Sequence, residues 1–247
     1  MHAPDRPAQG VPPVARASVL AVCAHPDDES FGLGAVLHSL ACDGAHTAVL
    51  CFTHGEASTL TASASLAEVR AAELQHAALV LGVEQVALHE HPDGALAGVP
   101  LDVLAATVSA TADAVGADLL LVFDQGGVTG HPDHDRATAA ALAARPDLPV
   151  LAWGVPESVA NALNDEFGTA FAGRTPEQLD LMLPVDRAVQ RRAIACHDSQ
   201  STDNPVLWRR LELLGDAEWL RWLRHRTSVR SAHDAGPAQF AGARMKE

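Results

Sequence analysis

The chain has 247 residues, of which 31 are acidic and 17 basic, for a formal net charge of -14 at pH 7. This charge disfavours nucleic acids and anionic membrane surfaces as partners, because both are bound through clustered Lys and Arg. No apolar run approaches the roughly 20 residues needed to cross a bilayer, and the N-terminal residues lack the apolar core of a signal peptide. We therefore expect a cytoplasmic protein with a disordered, Pro-rich tail at residues 1–17 and a single domain over residues 18–247.

Short apolar segments alternate with Ala- and Leu-rich segments of helical length up to about residue 155. The apolar segments predict strands at residues 18–24, 47–53, 85–89, 118–123 and 149–153. The intervening segments predict helices at about residues 30–43, 65–81, 100–115 and 133–144. This alternation is typical of right-handed βαβ units. It predicts an α/β fold, a Rossmann-like three-layer sandwich with a mostly parallel central sheet.

The C-terminal part of the chain is less regular. Its pattern predicts one strand and two helices, at residues 179–183, 186–197 and 205–214. Trp208, Trp219 and Trp222 stand at helical spacings, which favours aromatic packing of a helical segment against the sheet. We expect this helical part to belong to the same domain.

A polar cluster, His25-Pro26-Asp27-Asp28-Glu29, directly follows the first strand, at the edge where open α/β sheets place ligands. His25 and Asp28 are three residues apart, so an imidazole nitrogen and a carboxylate oxygen could hold one cation. Asp27 lies between them and could reach a metal-bound water without being a ligand, as a general base must. The alternative is a solvated turn with an Asp that caps the next helix.

A second cluster, Gly130-His131-Pro132-Asp133-His134, follows the strand predicted at residues 118–123. Pro132 suits the first turn of a helix, which would put His131 and His134 one turn apart around the helix start. One of the two histidines could complete a two-His, one-carboxylate set, which suits zinc with an open position for water. The remaining histidine could face the substrate carbonyl, and the alternative for both is a surface pair.

The two clusters resemble the motifs of the LmbE-like or PIG-L superfamily of zinc-dependent N-acetylglucosaminyl de-N-acetylases. Members carry a His-Pro-Asp-Asp-Glu element after the first strand and a His-x-x-His element further on. The resemblance implies that His25, Asp28 and His134 bind one Zn²⁺ per chain, with Fe²⁺ or another divalent ion as the alternative metal. It also implies that Asp27 is the base and that His131 stabilises the oxyanion.

Further matches extend the resemblance over about residues 18–200, among them Arg70-x-x-Glu73 and Pro92-Asp93-Gly94. By the resemblance, Arg70 and Asp93 bind the sugar end of the substrate. The alternatives are a helix pair between Arg70 and Glu73 and a turn at Asp93-Gly94. The resemblance further implies a small-molecule N-acetyl amino sugar conjugate as partner and a homo-oligomer, since family members often form symmetric assemblies.

One departure from the family concerns tyrosine. Some members place a tyrosine near the second histidine motif, where it assists the tetrahedral intermediate. This chain has Thr129 or Gly130 there and contains no tyrosine. Polarisation of the carbonyl would therefore depend more heavily on the metal and on His131, which we expect to be protonated.

The sequence thus predicts a metal-dependent amide hydrolase that removes acetyl from an N-acetylglucosamine-type amino sugar or its conjugate, by attack of metal-bound water. One alternative is a dinucleotide-binding oxidoreductase, because Gly32-x-Gly34 follows a strand. Leu37 occupies the third glycine position, however, and the acidic residues 27–29 would repel a pyrophosphate. Two further candidates are a metal-dependent phosphoesterase with the same ligands and a non-catalytic sugar- or metal-binding protein.

Overall fold

The computed structural model describes residues 16–61 and 65–225 of the chain. The strands are β1 (Ser18–Cys23), β2 (His46–Thr53), β3 (Gln85–His91), β4 (Leu119–Phe123), β5 (Val150–Pro156), β6 (Gly173–Arg174), β7 (Leu181–Pro184) and β8 (Ala217–Arg224). The helices are α1 (Asp28–Phe31), α2 (Gly34–Cys42), α3 (Leu66–Leu81), α4 (Leu101–Val115), α5 (Gly127–Gly130), α6 (Pro132–Ala144), α7 (Glu157–Phe167), α8 (Arg187–Ile194), α9 (Asp198–Ser201) and α10 (Pro205–Leu214).

The sheet has the strand order β3-β2-β1-β4-β5-β8-β7, and β6 pairs with β5. The strands from β3 to β5 are parallel to one another, whereas β8 is antiparallel to both β5 and β7. From β1 the chain adds β2 and β3 on one side of that strand. It then crosses back and adds β4 and β5 on the other side of β1. A crevice therefore opens between the carboxyl ends of β1 and β4, where sheets of this kind bind ligands.

Alternate side chains of β1 enter two separate hydrophobic cores. Val19 and Ala21 face the core that α2, α3 and α8 cover, whereas Leu20 and Val22 face the core beneath α4 and α6. All four side chains are buried, as expected for a parallel strand covered on both faces. These layers confirm the predicted three-layer α/β fold with a mostly parallel sheet.

The C-terminal part contains the predicted strand and both predicted helices as β7, α8 and α10, but the segment around Trp219 and Trp222 is not helical. Trp219 and Trp222 belong to strand β8, because alternate residues of that strand face inward, with Glu218 and Leu220 buried. A buried glutamate obscures the apolar alternation by which a strand is recognised. Helix α7 also occupies a segment for which no helix was predicted, and its asparagine and aspartate residues have low helix propensity.

The remaining expectations concern the chain ends and the membrane. The tail predicted at residues 1–17 lies outside the described residues except for its last two positions. Of the helices in the described ranges, none combines the length and the apolar character that spanning a membrane requires.

Candidate active site

A cavity of about 640 Å³ lies at the carboxyl ends of the parallel strands. Both predicted polar clusters line it, the first after β1 and the second after β4. Loops that follow β2 and β3 add Ala57 and Asp93 to its wall, and α10 adds Arg210. The fold therefore brings together the sequence-predicted site residues His25, Asp27, Asp28, Arg70, Asp93, His131 and His134.

The turn after β1 is fixed by the side chain of Asp28. Its Oδ2 accepts hydrogen bonds from the backbone N–H groups of Ala24 (2.9 Å) and His25 (3.0 Å). Asp28 Oδ1 is then turned toward the second cluster, 3.0 Å from His134 Nε2. The sequence folds locally so that one carboxylate oxygen closes the turn while the other faces the cavity.

Three side chains converge at this point in a way that fits a divalent metal ion. His25 Nδ1 lies 3.2 Å from His134 Nε2, and Asp28 Oδ1 lies 3.0 Å from the same nitrogen. Ligand atoms about 2.0–2.2 Å from a tetrahedral ion stand about 3.3–3.6 Å apart, close to these separations. Ring nitrogens of His25, His131 and His134 also lie within 4.8 Å of one another, so His131 borders the same position.

The outer ring nitrogens of His25 and His134 each face oxygen atoms of neighbouring groups. His134 Nδ1 lies 3.2 Å from the Gly127 carbonyl, which can only accept, and 2.8 Å from Thr129 Oγ1. A proton on Nδ1 would leave the lone pair of Nε2 for a cation. His25 Nε2 lies 3.1 Å from Asp93 Oδ1 and 3.5 Å from Asp133 Oδ2, although its N–H is not aligned for a hydrogen bond with either. Carboxylates and carbonyls behind metal-binding histidines select the tautomer in this way.

The protonation of His25 reflects this surrounding charge. Burial lowers the pKa of His25, but Asp133 and Asp93 outweigh burial and raise that pKa to about 10. A bound cation would replace the proton on His25, because a ligand nitrogen must be deprotonated.

Asp27 stands beside the converging side chains in a strained backbone conformation, with φ of 134°. Arg70 Nη2 donates to Asp27 Oδ2 at 2.8 Å, and Glu29 Oε2 accepts from the Asp27 N–H at 3.0 Å. Burial raises the pKa of Asp27, Arg70 opposes that shift and Asp28 adds to it, leaving the pKa at about 6. Asp27 is therefore a carboxylate near neutral pH that can still take up a proton.

His131 begins helix α6, where its Nδ1 accepts a hydrogen bond from the Asp133 N–H at 3.2 Å. The proton of the neutral ring must then be on Nε2. Burial, His25 and His134 lower the pKa of His131. The ring is therefore a neutral donor at the cavity wall, whereas the mechanism deduced from sequence invokes a protonated His131.

Arg70 and Asp93 line the cavity, but their main contacts are with other site residues. The buried Arg70 guanidinium donates to the carbonyls of Gly55 and Pro26 as well as to Asp27. Asp93 Oδ2 accepts from the Ala57 N–H at 2.8 Å, while its Oδ1 faces His25. These contacts indicate that each residue positions a neighbour, a role that the sequence reasoning missed.

A buried pair, Glu29 and His197, lies behind Asp27; the sequence indicates a supporting role for His197 but not its partner. Glu29 Oε1 lies 2.7 Å from His197 Nε2, and neither side chain is exposed to solvent. Glu29 thereby links His197 to the backbone of Asp27. The pairing itself leaves no signal in the sequence, because 168 positions separate the two residues.

Comparison with known proteins adds a family match. A family profile described as PIG-L, GlcNAc-PI de-N-acetylase, matches residues 20–145, a stretch that holds both motifs. A protein of Catenulispora acidiphila named 1D-myo-inositol 2-acetamido-2-deoxy-alpha-D-glucopyranoside deacetylase 1 is 30% identical over 201 residues. The match covers 63% of this chain and 61% of that relative. The chain spans about three fifths of the length of the first curated relatives it matches.

Solved structures show the same fold. The zinc-inhibited form of teicoplanin deacetylase Orf2 superposes with a TM-score of 0.62 at 20% identity, covering 86% of this chain and all of the other. The 4-carboxy-2-hydroxymuconate hydratase of Pseudomonas putida KT2440 gives a TM-score of 0.63 at 17% identity, covering 87% of this chain and 100% of the hydratase. Since a deacetylase and a hydratase share this architecture, the fold by itself does not specify the reaction.

Proposed function

The chain belongs to the PIG-L family of GlcNAc-PI de-N-acetylases, and we propose that it is a zinc-dependent hydrolase that removes acetyl from an N-acetylglucosamine-type amino sugar or its conjugate. The relatives that it matches are named as deacetylases of an acetamido sugar linked to inositol. The cavity of about 640 Å³ can hold a substrate larger than one sugar ring.

The observation that carries this proposal is the convergence of His25, Asp28 and His134 next to Asp27. We propose the first three as the zinc ligands, with Asp28 preferred to His131 because Asp28 Oδ1 is held toward His134 by the turn. A bound divalent ion would supply an acidified water and an electrophile for the carbonyl oxygen.

The proposed roles of the protein groups follow from their positions. Asp27 takes the proton of the attacking water and later delivers it to the departing amine. His131 Nε2–H donates to the acetamide oxygen as negative charge develops there. A neutral imidazole can do this, and it need not lose its proton between turnovers. Arg70 and Asp93 border the substrate while holding Asp27 and His25 in place.

Features around Gly32 argue against the dinucleotide-binding alternative. A Cβ at Gly32 would lie 2.5 Å from Phe123 Cζ, so this glycine allows close packing on the sheet. Gly32 and Gly34 lie at the junction of α1 and α2, and the buried carboxylates of Asp28 and Glu29 stand in α1 directly before them. These side chains would repel an anion at the helix start.

The test of the proposed function is a screen for acetate release over N-acetylglucosamine conjugates, with phosphate release from phosphorylated sugars measured in parallel. We expect acetate and a free amine in equal amounts and no phosphate. Phosphate release would indicate a phosphoesterase. Binding of the sugar without turnover would indicate a binding protein, and either result would contradict the proposal.

Replacing His131 by alanine should lower kcat by about 10²–10³-fold while KM changes little, because an oxyanion donor acts mainly in the transition state. Metal content should stay at the parental level, because His131 is proposed as an oxyanion donor and not as a metal ligand. Steady-state kinetics and elemental analysis of the same preparation check both points. His38→Ala, at a half-buried position on α2 that does not line the cavity, is the matched control. Loss of metal from His131→Ala would instead make His131 a ligand.

Replacing Arg70 by methionine should shift the acidic limb of the pH profile upward. Asp27 must be ionised to act as a base, so activity rises with pH through its pKa of about 6. Removing the adjacent cation should raise the pKa of Asp27 by about one unit or more. The acidic limb of the pH profile should move to higher pH by the same amount. Arg70→Lys keeps the charge and serves as control. A limb at the parental pH in Arg70→Met would mean that Arg70 does not set the pKa of the base.

A further inference from the structure

The guanidinium of Arg210 is buried beside the cavity without a carboxylate partner. Arg210 lies in α10, lines the cavity and is only 5% exposed. Its Nη2 donates to the Phe31 carbonyl at 2.6 Å, and its Nε has no hydrogen-bond partner. Within residues 16–61 and 65–225, Arg70, Arg187 and Arg210 are the buried arginines, and the first two form ion pairs, with Asp27 and Glu218. Arg210 forms none.

Nearby charges do not compensate Arg210. Glu218, its main source of negative charge, already accepts hydrogen bonds from Arg187 Nη1 and Trp153 Nε1. Burial is the main cause that lowers the pKa of Arg210, and Glu218 offsets it only in part, leaving the pKa at about 10. A buried charge without a partner is costly, so buried arginines are ordinarily paired.

The guanidinium is held in a fixed plane close to the proposed metal position. It lies 5.1 Å from the centre of the Trp153 ring, a cation–π contact that sets its orientation. Its hydrogen-bond acceptor, Phe31, ends helix α1, which begins at the proposed ligand Asp28. Arg210 and the proposed ligands His25, Asp28 and His134 line the same cavity, so a substituent of a substrate whose amide is at the metal can meet the guanidinium.

We propose that Arg210 forms an anion subsite that recognises a carboxylate carried by the amide substrate. This rests on the amide hydrolysis of the proposed function and specifies acidic substrates, whether the amide carries acetyl or a longer acyl group. A planar guanidinium with unused N–H groups is suited to a carboxylate, with which it forms two parallel hydrogen bonds. The acid has two possible positions: the end of a longer acyl group, as in an N-succinyl amine, or the aglycone of an N-acetylglucosaminide.

Two matched substrate pairs test the subsite and distinguish these positions. The first pair is N-succinylglucosamine and its terminal carboxamide; the second is an N-acetylglucosaminide with a carboxylate on the aglycone and its carboxamide. We expect the zinc-loaded enzyme to prefer the acid of one pair in kcat/KM by about tenfold or more, as a charge-assisted contact allows. Arg210→Met should abolish that preference. Arg210→Lys should retain part of it.

Arg209→Met is the control, because Arg209 lies on the same helix but pairs with Glu166 and Glu212 outside the cavity. It should leave the acid preference unchanged. No acid preference in either pair, or a preference that survives in Arg210→Met, would overturn the subsite. If Arg210→Met does not fold, the subsite is judged from two other results: the acid preference of the parental protein and its reduction in Arg210→Lys. If none of the four compounds is hydrolysed, calorimetric binding of the same compounds still tests Arg210, and the acetate-release screen decides the proposed function separately.

Discussion

Replacing His25, Asp28 or His134 by alanine should remove most of the bound metal and lower turnover by about 10³-fold or more, because the metal supplies both the acidified water and the electrophile. The three proposed ligand atoms lie close together, and the ring of His131 borders the same position. Elemental analysis and acetate release, measured on one preparation of each variant, check this prediction.

Two variants outside the converging group serve as controls. His46→Ala removes an exposed histidine that pairs with Glu84 at the amino end of β2, opposite to the strand end at the cavity. Asp135→Ala removes an exposed carboxylate from α6, the helix that carries His134. Both should keep parental metal content and turnover. Unchanged metal content in all three ligand variants would contradict the assignment. Loss from His25→Ala and His134→Ala alone, with Asp28→Ala loaded, would point to His131 as the third ligand.

Replacing Asp27 by asparagine should lower turnover by a factor on the order of 10²–10⁴ while the metal remains bound, because the amide cannot accept the proton of the attacking water. Asparagine keeps the shape of the side chain, and its oxygen can still accept the hydrogen bond from Arg70. The loss therefore reports the missing base and not a rearranged turn. The acidic limb of the pH profile, which follows the pKa of Asp27 near 6, should flatten in this variant.

Asp135→Asn is the matched control for Asp27→Asn, since it makes the same chemical change at an exposed site on α6. Near-parental deacetylation by Asp27→Asn at full zinc occupancy would show that another group is the base. Glu29 and Asp133 would then be tested. The structure makes both unpromising, because Glu29 faces His197 and Asp133 accepts from the N–H groups of Gly94 and Leu96.

The sequence was sufficient to predict which strand ends form the site. Continuous apolar runs identify β1 and β4 as central parallel strands, and polar residues follow each of them directly. Parallel neighbours end at one edge of a sheet, so two clusters 109 residues apart meet there, with His25 Nδ1 and His134 Nε2 3.2 Å from each other. The local sequence pattern and the topology of a parallel sheet are therefore sufficient to predict where the site lies.

Contacts between distant segments could not be read in the same way. From the sequence, Arg70 is expected to pair with Glu73 on a helix or to bind a sugar. In the structure Arg70 donates to Asp27, and Glu73 accepts hydrogen bonds from the N–H and hydroxyl groups of Ser199. The strand β8 is not predicted from the sequence because the buried Glu218 interrupts its apolar pattern. Glu218 is accommodated there by hydrogen bonds from Arg187 and Trp153. These partners are chosen by packing across the sheet, which leaves no periodic trace in the chain.

The most direct test of the central claim is a titration of the metal-depleted protein with up to one equivalent of zinc while acetate release from an N-acetylglucosamine conjugate is followed. Bound zinc is measured in the same samples. We predict that the rate rises in proportion to bound zinc and levels off near one ion per chain. A metal-depleted protein that releases acetate at the full rate, or a zinc-loaded protein that releases none, would contradict the assignment of this site as a metal-dependent deacetylase.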